Sequence, residues 1–357
     1  AGRRLTNRPS PRPGPAMTQG PTGSSRVPGL GLGHACGLVM AVGASLAFAS
    51  ARAGILGGLA PDDLIFARFL VAGLVMLPFL LHWGLPDLAG IGWRRGCILA
   101  LTGGPLFAIL QTGGYAFAPL AHGAVIAPST VTIVSTIAAG LFLGERLTRA
   151  HLSGAALVLA GILLIGWHGI AADNGMPASW IGDLMFGASS LLWATFTLLL
   201  RAWRVEAARA TAVVSVMSCV LASPIYLAVR GIDHLAALPV GPIVVQGLTQ
   251  GLVQGVITIM AYSKAVALLG VSRAVLFPAI VPAVSVLIGI PLVGEIPDAV
   301  QIAGILTVSV GLLTAVGVLG LPAAPPRAAT GGPPPLSPPA SLHNPAPKPA
   351  GPSEETP

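Results

Sequence analysis

The chain has 357 residues, of which 54% are hydrophobic and only 9% charged, and its mean hydropathy is +0.83. A water-soluble domain carries about 25% charged residues, so this composition cannot clothe a soluble core and marks a polytopic membrane protein. The formal net charge of +7 comes from arginines in short clusters between apolar runs, with lysine only at positions 264 and 348; without a basic patch interleaved with aromatics, nucleic acid is excluded as a partner.

In chain order, residues 1–33 form a basic tail rich in Arg, Pro, Gly and Ser with no periodic apolar pattern. Such a segment buries too little to order itself and is expected to be disordered. Its first apolar run has no small-residue cleavage site after it, so it does not read as a signal peptide, and Met17 offers an alternative start. Ten apolar segments follow, at 35–57, 63–82, 97–117, 123–143, 151–168, 180–200, 210–229, 243–263, 273–293 and 299–319. Each is close to the ~20 residues that cross a hydrocarbon core, and backbone groups in lipid must bond internally, so each is a helix. The Pro- and Gly-containing segment 97–117 is the least regular. Residues 321–357 are a Pro- and Ala-rich tail, again expected to be disordered. Two five-helix units, 34–170 and 178–320, thus lie between two tails. Cys36, Cys97 and Cys219 are scattered and have no metal or redox spacing.

Loop charges set the orientation. With a cytoplasmic N-terminus, fourteen Arg and Lys residues fall inside and only Arg52 and Arg230 outside, while Asp62, Asp63, Asp173, Asp233, Glu295 and Asp298 fall on or near the outer side. Both termini are expected in the cytoplasm, in a bacterial inner membrane.

The halves also resemble each other. The first carries Tyr115-Ala-Phe-Ala-Pro-Leu, a Gly-Ala-Val-Ile-Ala-Pro stretch, Leu143-Gly-Glu145-Arg-Leu, then Gly154 and Gly161. The second carries Tyr262-Ser-Lys-Ala-Val-Ala-Leu-Leu, Gly270-Val-Ser-Arg-Ala274, Val293-Gly-Glu295, then Gln301, Gly304 and Gly311. The tyrosines are 147 residues apart and the Gly-Glu pairs 150 apart. Five spans per half is an odd number, so the second copy is inverted, an arrangement typical of carriers whose halves rock about a central site.

On these residues the chain resembles the EamA-type members of the drug/metabolite transporter superfamily over about residues 34–320. The resemblance rests on Ala67-Arg68-Phe69, Leu143-Gly-Glu-Arg-Leu147, Gly182-Asp183-Leu184 with Leu192-Trp193-Ala194, and above all Gly270-Val-Ser-Arg-Ala274 through Val281-Pro282 to Gly294-Glu295. It implies a ten-helix bundle that exports or exchanges small metabolites. Thr132 departs from it, standing near where the first half often has a proline matching Pro282.

Among candidate site residues, Gln246, Gln250, Gln254, Thr258 and Tyr262 recur every fourth position in the eighth span and share one helix face. Glutamines facing lipid are costly, so the stripe faces either a polar cavity that binds substrate or neighbouring helices that it bonds. Gly247, Gly251 and Gly255 beside it permit close helix approach. Gln111 and Tyr115 echo Thr258 and Tyr262 in the third span. In the fourth, Thr130, Thr132, Ser135 and Thr136 either join that wall or bond their own helix. Arg68 either binds an anionic group or snorkels to Asp62 and Asp63. Trp193, with Thr195 and Thr197, either lines the cavity or packs between helices. Glu145 and Glu295 stand at helix ends and read as loop-fixing residues, while Pro278 and Pro282 bend the ninth span and could form a gate.

Asp183 is the one acid approaching the bundle interior and so the candidate for proton coupling. No nucleotide loop, HExxH or GxSxG occurs, and the histidines fall at helix ends or in tails. The chain reads as a non-enzymatic carrier of a small polar metabolite such as an amino acid or derivative, with no cofactor or metal, partnered by its substrate and the bilayer. A homodimer is open to it. The rival readings are a channel-like or scaffolding membrane protein and, less favoured, an intramembrane enzyme.

Overall fold

A computed structural model describes residues 30–142, 148–171, 178–274 and 276–315. Residues 1–29 of the expected N-terminal tail, the expected tail 321–357 and Glu145 lie outside the described residues, as do the side chains of Ser135 and Thr136; residues 30–33, expected in the tail, are helical. Among the described residues every regular element is helical: α1 (Leu30–Leu56), α2 (Pro61–Trp83), α3 (Trp93–Gly103), α4 (Pro105–Gly114), α5 (Leu120–Phe142), α6 (Arg149–Ala171), α7 (Ser179–Trp203), α8 (Ala207–Ala237), α9 (Val240–Gln246), a π-helical stretch Gly247–Ile257, α10 (Thr258–Leu269), α11 (Val271–Ala274), α12 (Leu276–Val293) and α13 (Ala299–Ala315).

Local chemistry sets several boundaries. Pro61 opens α2, where a missing amide costs nothing, and Asp63 reaches back to accept the Ala60 N–H at 2.8 Å. Asp298 accepts the amides of Val300 and Gln301 at 2.8 and 2.9 Å, while Gln301 Oε1 accepts the Asp298 N–H, a reciprocal cap for α13. The irregular third span is broken at Gly104-Pro105 into α3 and α4. A Cβ on Gly104 would fall 2.5 Å from Ser218 Oγ, so α8 presses on the break.

Eight helical segments are long and apolar enough to cross a membrane: α1, α2, α3–α4, α6, α7, α8, α9–α10 with the π stretch between them, and α12. Two shorter apolar helices, Leu120–Val134 within α5 and α13, complete the bundle. The sequence expectation of ten full-length spans is thus met by eight of that length and two shorter ones. Large side chains such as Leu74, Leu101, Leu163, Val229, Leu287 and Leu306 are more than half exposed. A soluble protein does not tolerate an apolar surface of this extent, and in an integral membrane protein it meets lipid. Small residues fill the interior instead: the buried face of α1 runs through Gly33, Gly37, Ala41, Ala44, Ala47 and Ala51, as expected where helix association in lipid depends on close packing.

The packing is paired. Helix α1 lies against α12 and α10, and α7, which opens the second half, lies against α5 and α4 of the first. Helix α2 packs on the π stretch as α8 packs on α3. Each half therefore inserts its first helix into the other. Two contacts join equivalent helices directly, α2 with α8 and α6 with α13. In the second, a Cβ on Gly161 would lie 2.9 Å from Gly304 O and one on Gly311 would lie 3.0 Å from Gly154 O. As α6 advances, its partner in α13 recedes, so the two run antiparallel. Gly154 and Gly304 are 150 residues apart, as are Gly161 and Gly311, so the contact has the self-complementary form of a two-fold interface.

The bundle has two chemically different ends. One gathers Arg94, Arg95, Arg149, Arg201, Arg204, Arg209, Lys264 and Arg273; the other holds Asp62, Asp63, Asp183, Asp233, Glu295 and Asp298 with Arg52 and Arg230.

Candidate functional site

At the acidic end the charges are matched. Arg52, 4% exposed, meets Glu295 through Nε at 2.7 Å and Nη2 at 2.6 Å, and its Nη1 donates to Tyr115 O at 2.6 Å. Glu295 Oε2 also accepts the Leu120 N–H at 2.8 Å. One carboxylate thus fastens α1, the α4–α5 turn and the α12–α13 loop together. Asp62 forms a two-pronged pair with Arg230, and Asp63 accepts from Tyr226 Oη at 2.6 Å and faces His234 Nε2 at 3.0 Å. Asp183 lies 2.7 Å from Nδ1 of His122, whose ring is fully buried and whose Nε2 has no partner among the described residues. Reading the histidines as helix-end residues missed this pair. The requirement that an acid inside a span have a partner is the signal that could have found it.

These pairings decide what Arg68 does. Asp62 and Asp63 are occupied by Arg230, Tyr226 and His234, so Arg68 does not snorkel to them. Its guanidinium lies 5.6 Å from the Phe69 ring centroid and 5.8 Å from that of Phe107, and among the described residues no acid or acceptor meets it. Cation–π contacts of this kind return about 0.5–2 kcal/mol, whereas an arginine deep in a membrane costs at least about 2.5–3.5 kcal/mol. The rings do not offset the charge.

Arg68 lines a cavity of about 30 Å³ at the junction of the halves. Helix α2 contributes Arg68, Phe69 and Ala72; α3 Gly103; α7 Trp193 and Phe196; α8 Thr211 and Ser215; the π stretch Gly255. Gly103 and Gly255 each stand about halfway along their helical segments, while Thr211 lies in the second turn of α8 and Arg68 about two turns into α2. Trp193 packs 5.0 Å from both Phe107 and Phe196. The volume admits about one water. A larger cavity of about 290 Å³ opens at the acidic end beside Pro119, Glu295, Asp298 and Gln301. Its Glu295 is already engaged by Arg52 and Leu120, so size alone does not make it the site.

The predicted residues separate into three groups. Arg68, Trp193 and Gly255 meet at the central cavity. The glutamine stripe shares a face, but that face is turned mainly to α1 and not to the central cavity. Gln246 Nε2 donates to Ser50 O at 2.8 Å while its Oε1 accepts from Ser50 Oγ, and Gln250 Nε2 donates to Ala47 O at 2.5 Å, so both bond the second half to α1. Gly43 and Gly54 of α1 make room, since a Cβ there would fall 2.6 Å from Thr258 Oγ1 and from Gln246 Nε2 respectively. Gln254 Oε1 and Thr258 Oγ1 have no hydrogen-bond partner among the described residues, and Tyr262 packs with the α1–α12 cluster around Met40 and Phe277. Gly251 brings the stripe's backbone against α2: a Cβ there would be 2.7 Å from Arg68 O.

Gln111 and Tyr115 form the third group, toward the acidic end. Gln111 Oε1 accepts from Ser189 Oγ at 2.7 Å, and Tyr115 is buried 4.9 Å from Phe186. Thr195 and Thr197 donate to their own helix at Leu191 O and Ala194 O, and Thr132 does so at Pro128 O, and none of the three lines the central cavity. The first half does have its helix proline, Pro128, four residues before Thr132. Pro278 stands at the start of the described stretch of α12, three positions after residue 275, which lies outside the described residues. Pro282 and Pro291 are the interior prolines, and Ser45 Oγ of α1 donates to Val281 O beside the first.

The model of the EamA-like transporter family matches residues 31–167 and again 180–317. A solved structure described as "Crystal structure of protein" is similar at 20% identity with a TM-score of 0.55, covering 81% of this chain and 97% of its own; at that identity the likeness concerns the fold. No curated protein matches the chain.

Proposed function

The chain belongs to the EamA-like transporter family, and from that premise we propose that this membrane transporter exports or exchanges a small polar metabolite, such as an amino acid derivative, by alternating access between two inverted five-helix repeats. The carrying observation is the paired packing. Equivalent helices α6 and α13 meet antiparallel through Gly154, Gly161, Gly304 and Gly311, and a small cavity lies where the halves join. A site between two pseudo-symmetric halves is what a rocking carrier needs.

In this reading the eight long and two shorter apolar helices are ten spans. The basic end faces the cytoplasm of a bacterial cell, and both termini lie there. Arg68 and Trp193 contact the cargo, with Gln254 within reach in another state. Gln246 and Gln250 hold α1 to the second half, and Pro282, Gly251 and Gly255 let the halves shift. Asp183, held by His122 with the buried Nε2 of that ring unpaired, is the coupling group for proton antiport. The Arg52–Glu295 pair nearby is already neutralised internally.

Flux in proteoliposomes tests this reading. A carrier gives saturable uptake, competed by unlabelled substrate and accelerated by substrate on the far side. Non-saturable flux points to a channel, and no flux with any pool of cell metabolites to a scaffold. Coupling is read separately: His122→Gln and Asp183→Asn should abolish acceleration by a pH gradient while leaving counterflow.

A further inference from the structure

Resting on the reading just given, we infer that the cargo is a small organic carboxylate with an apolar body and no free amine. Arg68 is a fixed positive charge about two turns into α2, on the wall of the cavity between the halves. Its guanidinium touches rings and no anion. The carboxylates on described residues are elsewhere: Asp62, Asp63, Asp183 and Glu295 have partners at the acidic end, Asp233 and Asp298 lie at that same end, and Asp87 and Glu206 lie at the opposite one.

The rest of the wall matches one kind of molecule. Phe69, Trp193 and Phe196 offer apolar faces, while Thr211 and Ser215 are the hydroxyls; Thr211 Oγ1 already donates to Ala207 O at 2.8 Å. A guanidinium binds a carboxylate through two parallel hydrogen bonds, and the occupant then supplies the charge that the protein withholds. No acid on this wall would receive an ammonium, which sets the cargo apart from a free amino acid. The aromatic faces distinguish it from an inorganic anion, which would gain nothing from them.

The test uses the purified full chain in detergent and three probes in isothermal titration calorimetry: phenylacetate, phenethylamine and sulfate. Phenylacetate is expected to bind, phenethylamine and sulfate to bind at least about tenfold more weakly, and Arg68→Met to weaken phenylacetate by about tenfold or more, the scale of one charge-assisted pair. Arg68→Lys should recover part of the loss. Ligand-free Arg68→Met should melt no lower than the parent, since the guanidinium has no partner in the empty cavity; an arginine with a structural role would lower the melting temperature. Equal binding of phenethylamine or sulfate, no binding of phenylacetate, or unchanged phenylacetate affinity in Arg68→Met would overturn the inference. Transport is scored apart: phenylacetate bound at Arg68 but moved by no vesicle gradient leaves the cavity chemistry standing and removes the carrier reading.

Discussion

At the acidic end of the bundle Arg52 and Arg230 each meet a carboxylate, whereas among the described residues Arg68 meets aromatic rings and no acid. Arg52 is buried, yet it has Glu295 and the Tyr115 carbonyl. The difference separates two uses of a costly residue. A buried charge with its partners fixed by the fold holds helices together, while one whose partner the fold does not provide is poised for a ligand.

The contrast can be broken most forcefully at Glu295. Replacing it with alanine strands Arg52, and breaking a buried pair from one side costs on the order of 3 kcal/mol. A large drop in melting temperature in detergent is expected, partly recovered when Arg52→Ala is added; an unchanged melt would erase the distinction between the two regions. Next in size is the α6–α13 seam. A Cβ on Gly154 would fall 2.3 Å from the Ala315 backbone nitrogen, so Gly154→Ala should cost about 1–3 kcal/mol through overpacking. Gly187, with nothing within 4 Å, should tolerate alanine with no such loss, and equal melts for the two would deny the close approach. Gln250→Ala removes an interhelical hydrogen bond worth about 1 kcal/mol in a membrane. Gln254→Ala, which breaks no described bond, should leave stability alone and lower flux, so the pair of melts and flux assays sharpens which glutamines are structural. The smallest effect belongs to Asp62→Asn, whose pair with Arg230 is 42% and 37% exposed and contributes about 0.5 kcal/mol.

Much of this was legible in the sequence because it depends on periodicity and repetition. The span positions, the inverted repeat and the role of Gly251 all follow from where apolar and small residues recur, since lipid leaves the backbone no alternative to a helix. The site was less legible. The four-residue spacing of Gln246, Gln250 and Thr258 places them on one face, but it does not encode that this face meets α1 and not the cavity. His122 and Asp183 are 61 residues apart and meet because α7 inserts beside α5. Arg68 could be placed in a span, but its two readings were separated only by finding Asp62 and Asp63 already bonded.

All of this depends on the chain's second half standing upside down relative to its first. Accessibility reporters inserted after Glu145 and after Glu295, read in intact cells, measure that directly. Labelling from opposite faces of the membrane is the predicted result; labelling of both from the same face would contradict the account.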